Sequence, residues 1–351
     1  MATKQIFFAG DHNAGLHPHV FERLNKVNRG KVASYSEDEE TKDMKKRFQE
    51  MIGKEVVTFT FNTGTAANVL GITTLTRPYH TVICARSAHI YTYEAGAPTR
   101  FAGVTMEALQ TKDGKITIDQ IECFLSKRTN ENIYSQPKVV FITQPTEYGI
   151  VYSVKELTRL SQFCKSKGLC IFMDGARIAN AVSKLNVDIK EITEDIGIDA
   201  FTWGGIKNGG LADVLVLLNP DLASGIQYVY KQFGQDAAKS RYYSATVNAL
   251  LDNDIWVGNA KQANDMASKL FNKIKDNPEL EIVLPVETNF IWAKLEKNKV
   301  KKLNEGFVFY EEVNDLDIQK YKDILFLSRF LTNWATTNQE VNEFADAINS
   351  F

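Results

Sequence analysis

Residues 201–218 read FTWGGIKNGGLADVLVLL, and the reading of the whole chain turns on the lysine in their middle. Residues 200–203 are a short apolar run that Gly204 and Gly205 break, and residues 211–218 resume as a second, strand-like run. Lys207 is therefore expected in a tight, glycine-flanked turn between two buried strands. Lysine beside Asn-Gly is common in solvated surface turns. It is also what a cleft needs if an ε-amine must form an imine with a carbonyl cofactor. On this stretch alone both readings stand.

Upstream, strand and helix patterns alternate. Residues 56–61, 81–85, 139–143 and 169–173 read as strands, apolar enough to be covered on both faces. Residues 36–53 read as a helix with a Ser36/Glu39 capping box, a stripe of Met44, Phe48 and Met51, and a terminal Gly53. Residues 153–167 read as a second, boxed by Ser153 and Glu156. Smaller helices are expected over 20–27, 115–128 and 189–195, with Gln136 ending a polar linker. Residues 1–19 look too polar for a core element and read as an irregular arm or ligand loop. After about Leu250 the texture changes to a helix over 259–275, strands over 280–284, 289–295 and 324–331, and a last helix capped by Thr337 and Glu340. The expectation is an α/β chain. A large domain (20–250) carries a mostly parallel sheet wrapped by helices, and a small α+β domain (251–351) follows. The polar clusters fall at the carboxyl ends of strands, where open α/β sheets build their ligand crevices.

Composition excludes several classes. The 351 residues carry a formal charge of -2 with Lys and Arg scattered, so nucleic acid is not an expected partner. No run approaches a membrane span and no export signal opens the chain, so a cytoplasmic protein is expected. Cys84, Cys123, Cys164 and Cys170 form no metal spacing and read as reduced thiols. Thirteen Tyr and twenty-one Phe exceed what a monomeric core needs, which favours oligomer interfaces.

Four positions carry chemistry. TGTAAN, residues 63–68, follows a strand and opens a helix, so its amides and threonine hydroxyls suit a phosphate at a positive helix end; it is neither a Walker motif nor GxGxxG. Asp174 ends a strand, where a buried carboxylate needs a cationic partner: a pyridinium N–H, or Arg177 three residues on. His89 lies past another strand tip and can stack on an aromatic cofactor or act as acid and base. Arg329, in the small domain, can clamp a carboxylate if the domains face each other. Asp11, His12, His17 and His19 fit no specific metal site.

Phosphate cradle, stacking histidine, strand-tip aspartate and glycine-flanked lysine, in that order, resemble the aspartate-aminotransferase-like superfamily of pyridoxal-phosphate enzymes (fold type I). Within it, DGAR (174–177) and the GxKNG segment resemble the low-specificity threonine aldolase and beta-eliminating lyase family, over nearly the whole chain. The resemblance implies that Thr63, Gly64 and Thr65 hold the phosphate, His89 stacks on the ring, Asp174 keeps its nitrogen protonated and Lys207 binds pyridoxal 5'-phosphate covalently. It further implies that Arg177 and Arg329 bind the substrate carboxylate, with Asp11, His12 and Tyr35 near the substrate. Arg241 matches a basic region near the phosphate at the subunit interface of a homodimer or homotetramer with shared active sites. Three departures concern the substrate rather than the cofactor. Gly10 replaces a serine, Gln144-Pro145-Thr146 replaces Glu-Asn-Thr, and a family histidine near the β-hydroxyl appears as Tyr134 or is absent. The implied reaction is aldol cleavage of a β-hydroxy amino acid such as threonine, with β-elimination as the alternative. The proton of the β-hydroxyl would go to His89 or to a water oriented by His12.

Overall fold

The computed structural model describes residues 5–128, 132–311 and 325–351. Its strands are β1 (Ile6–Phe7), β2 (Val57–Phe61), β3 (His80–Ala85), β4 (Thr105–Leu109), β5 (Gln136–Thr143), β6 (Cys170–Asp174), β7 (Ala200–Trp203) and β8 (Asp213–Leu217). They continue with β9 (Glu281–Ile282), β10 (Phe290–Glu296), β11 (Phe307–Val308), β12 (Tyr310–Glu311) and β13 (Leu325–Leu331). The large sheet has the order β2-β8-β7-β6-β5-β3-β4. β4, β3, β5, β6 and β7 pair in parallel, while β8 runs antiparallel between β7 and β2. Six strands therefore point one way and share a carboxyl edge. The reversed β8 brings its first residue, Asp213, to that same edge. Every residue of β7 and β8 is buried, as expected of apolar runs covered on both faces.

Beyond it lies a four-stranded antiparallel sheet of order β12-β13-β10-β9. The helix Ile255–Ile274 ties the two parts together. Trp256 and Ala260 pack in the core around the large sheet, and Met266, Leu270 and Ile274 pack in the second core.

Several expectations are corrected. The N-terminal segment is not too polar for a core: β1 pairs in parallel with β11, Ile6 and Phe8 are buried, and Phe8 stacks on Phe344 at 4.4 Å. Residues 1–4 of that arm, and Ile324 at the start of the expected 324–331 strand, lie outside the described residues. The helix expected from Ser36 is Glu39–Ile52, and its N-cap is Asp38, whose carboxylate accepts from the amide and hydroxyl of Thr41. Ser36 lies outside it at a φ of 67°. Gln136 opens β5 rather than closing a linker. The helices Ile178–Leu185 and Ser240–Leu251, and strand β4, were not anticipated. The capping boxes at Ser153/Glu156 and Thr337/Glu340 form as read.

Candidate active site

The lysine turn is built by exclusion. A side chain at Gly204 would overlap the carbonyl of Ala176, and one at Gly205 the carbonyl of Ala212. Gly209 closes the turn at a φ of 91°, a conformation that favours glycine. Between them, Ile206–Asn208 forms a single 3-10 turn. It is clamped from two sides. Asp213 Oδ1 accepts from the amides of Gly205 (2.9 Å) and Ile206 (3.0 Å), and Asn208 is tied to Trp256 and Asn259 by bonds of 2.8 and 2.9 Å. Lys207 is thus presented to the carboxyl edge on a rigid support. Burial, then the charge of Arg177, push its amine below the ordinary lysine range, with Asp11, Asp174 and Asp213 pulling the other way. A larger neutral fraction makes the amine a better nucleophile.

Burial pushes Asp213 from the ordinary 3.8 up to about 6, against the pull of the two amides and Lys207. Because the folded value lies above the unfolded one, the ionised acid costs stability. The cost is absent below about pH 3.8, grows as pH rises and is complete above about pH 6, where it amounts to about 3 kcal/mol. Asp213→Asn keeps an acceptor for both amides and cannot ionise. It is expected to raise the unfolding free energy of the apo-protein relative to wild type at about pH 8, by up to that amount. The gain should shrink towards about pH 4. Denaturant titrations at the two pH values check this, and a difference that does not change with pH contradicts it.

A buried polar chain lies beside the turn. Asp174, 3% exposed, accepts from Asn68 Nδ2 (3.0 Å) and from the amide of Ala176 (2.9 Å). Asn68 in turn accepts from Thr202 Oγ1 at 2.9 Å and donates to Glu94 Oε1 at 3.1 Å. The same Glu94 oxygen meets His89 Nδ1 at 3.0 Å, and the Glu94 side chain is fully enclosed. His89 is anchored a second time, its amide donating to Glu147 Oε1 at 2.8 Å. The strand-tip aspartate and the histidine are therefore two ends of one hydrogen-bonded line.

Arg177 is not the partner of Asp174. Its Nε and Nη2 both donate to Asp11 Oδ2, at 2.9 and 2.6 Å, and its guanidinium lies 4.6 Å from the Phe290 ring centre. Asp11 also accepts from Asn289 at 2.8 Å. Burial alone would raise the Asp11 carboxyl, but the charges of Arg177 and Lys207 and the Arg177 hydrogen bonds hold it below the ordinary range. Burial, then Lys207, lower His12.

One cavity of about 570 Å3 gathers Asp11, His12, His89, Arg177, Lys207 and Arg329 between the two sheets. Its aromatic wall includes Tyr148, Trp292 and Tyr310, and Arg329 lies 5.1 Å from the Tyr310 ring. Other expected residues stand outside its lining. Thr63 caps the helix Gly64–Leu75 at the same sheet edge, its Oγ1 accepting from Ala66, so Thr63, Gly64 and Thr65 sit at a helix N-terminus as read. Gly64 lies against Asp213, which links this end to the lysine turn. Tyr35 is half-exposed, with Lys231 Nζ 4.4 Å from its ring, and Arg241 bonds Tyr242 at 3.1 Å. Neither lines the cavity of a single chain. Tyr134 lies beside Arg128, also away from it. Sequence reading missed Asn68, Glu94, Glu147 and Asp213 as site residues. Two of them left a signal: Asn68 closes the TGTAAN segment, and Asp213 is a charge inside an otherwise apolar run.

These residues fit pyridoxal phosphate. Asp174 is a buried carboxylate whose hydrogen-bond donors here are neutral, so a cationic ring N–H suits it. The Lys207 amine is buried and held below the ordinary lysine range, and the N-terminus of the helix Gly64–Leu75, capped by Thr63, stands at the same edge.

The model of the beta-eliminating lyase family matches residues 8–298. The chain is 35% identical to the low specificity L-threonine aldolase of Pseudomonas sp. (strain NCIMB 10558), covering 99% of this chain and 98% of that one. It belongs to the beta-eliminating lyase family. The low specificity L-threonine aldolase of Pseudomonas aeruginosa is 34% identical, over 97% of this chain and 96% of its own. Among solved structures, Leishmania major threonine aldolase superposes with a TM-score of 0.92 at 26% identity, covering 98% of this chain and 99% of that one. The family fold is that of the pyridoxal-phosphate enzymes of fold type I, and this family member is a lyase.

Proposed function

We propose that this family member cleaves the Cα–Cβ bond of a β-hydroxy amino acid, L-threonine or L-allo-threonine, to glycine and an aldehyde, with pyridoxal phosphate held covalently by Lys207. The observation that carries the reading is the single cavity in which Lys207 meets Arg177 from the large sheet and Arg329 from the small one. When bound, the cofactor supplies an electron sink for negative charge at Cα. Thr63, Gly64 and Thr65 would hold its phosphate at the helix N-terminus, Asp174 its ring nitrogen and His89 its face. Asp11 occupies Nε and Nη2 of Arg177, which fixes the guanidinium plane and leaves Nη1 for a substrate carboxylate. With Arg329 on the other wall, the carboxylate is held at two points, and that orientation selects which bond at Cα breaks. A homo-oligomer is part of the proposal. Tyr35 and Arg241 lie outside the cavity of one chain, and Arg241 Nη1 is buried without a hydrogen-bond partner. Sedimentation that finds a fully active monomer would contradict it.

Incubation of the cofactor-loaded protein with L-threonine, L-allo-threonine, L-serine and L-cysteine, followed by product identification, tests the reaction. Equal amounts of glycine and acetaldehyde support it. Ammonia with a 2-keto acid and no glycine would replace it by β-elimination, with Lys207 as the base that removes the Cα proton.

A further inference from the structure

Two cavity-lining side chains that the proposed reaction leaves unused, Ser87 and Glu147, each end in a buried oxygen without a hydrogen-bond partner. Glu147 is the one that can take a proton. It follows β5 at the carboxyl edge of the large sheet, on the loop next to that of His89. Its Oε1 is occupied, accepting from the His89 amide at 2.8 Å and from Thr143 Oγ1 at 2.8 Å. Those bonds fix the carboxyl plane and leave Oε2 unpartnered. A buried, unpaired carboxylate oxygen is costly unless a ligand supplies its donor. In this cavity the ligand donor of matching chemistry is a substrate hydroxyl.

We infer that Glu147 Oε2 receives the proton of the substrate's β-hydroxyl during Cα–Cβ cleavage, an assignment that rests on the aldolase reading above. As the bond breaks, its electron pair stays on Cα. The O–H pair becomes the second bond of the aldehyde carbonyl, and the proton passes to Glu147. Cα gains one proton in exchange, so glycine and the aldehyde together account for every substrate atom. Burial pushes the Glu147 carboxyl above the ordinary range, which makes it a stronger base than an exposed carboxylate. His89 Nδ1 is committed to the enclosed Glu94, so Nε2 is the ring nitrogen through which His89 would compete for this role, and the test below separates the two.

The test compares a reaction that needs the hydroxyl with one that does not. Glu147→Gln keeps an oxygen for the His89 amide and Thr143 but accepts no proton. In the cofactor-loaded variant, threonine cleavage is expected to fall about 100-fold. Exchange of the glycine α-proton in D2O, which involves no hydroxyl, should stay within about fivefold of wild type. Absorbance titration with pyridoxal phosphate should give an unchanged affinity. Glu147→Asp, which restores a carboxylate, should cleave threonine at least about tenfold faster than Glu147→Gln. Threonine cleavage by Glu147→Gln within about fivefold of wild type would overturn the assignment and return the role to His89 or His12. So would a parallel loss of cleavage and glycine exchange, which would mean that Glu147 only supports the fold around His89. A wild-type protein that releases no glycine from threonine would instead overturn the aldolase reading, and this assignment with it.

Discussion

Lys207→Ala is expected to lower threonine cleavage about 10^4-fold and to leave pyridoxal phosphate dissociable by gel filtration. The size of the effect follows from how the turn is built. Gly204, Gly205 and Gly209 admit no ordinary side chain without a clash or a strained φ, and Asp213, Trp256 and Asn259 hold the backbone between them. The amine is therefore delivered to one place, and the described residues provide no second lysine in the cavity lining to replace it. Its lowered pKa, caused first by burial and then by Arg177, raises the fraction that can attack a carbonyl at neutral pH. Because alanine fits the turn, the loss is chemical rather than a failure to fold. Steady-state rates with the variant measure it. A residual rate within about tenfold of wild type would contradict the role.

Asp174→Asn is expected to lower cleavage about 10^3-fold while changing cofactor affinity much less. The carboxylate is taken out of water by the end of β6 and receives donors from Asn68 and the Ala176 amide. A full negative charge there favours the protonated form of a ring nitrogen beside it, and that form is the stronger electron sink. Asparagine fills the same volume but carries no charge. The measurement is kcat for threonine cleavage together with a cofactor titration. A variant of unchanged kcat would show that the ring nitrogen needs no anionic partner. A variant that only loses affinity would move Asp174 from chemistry to binding.

How far these sites were legible depends on whether their partners are local in sequence. The lysine turn was legible because its glycines and its two apolar runs are contiguous, and the Ser153/Glu156 and Thr337/Glu340 boxes because each spans one turn. The box at Ser36 failed for a physical reason. Asp38 offers two oxygens, which accept from the Thr41 amide and hydroxyl and from Ser240 Oγ, and that set of donors outweighs a single serine hydroxyl. The helix Ser240–Leu251 was hidden because residues 244–250 are all buried, many of them small or polar, so it lacks an amphipathic period. At the site, the Arg177–Asp11 pair spans 166 positions and the Asn68–Asp174 bond 106, so neither has a local signature. The N-terminal strand escaped notice for the same reason, since its partner is residue 307.

Whether the cofactor is bonded to Lys207 is decided most directly by reducing the pyridoxal-phosphate-loaded protein with borohydride, digesting it and mapping the modified peptide by mass spectrometry. A single phosphopyridoxyl group on Lys207, absent from Lys207→Ala, is the expected result. The group on a different lysine, or no stable adduct in a protein that still cleaves threonine, would contradict it.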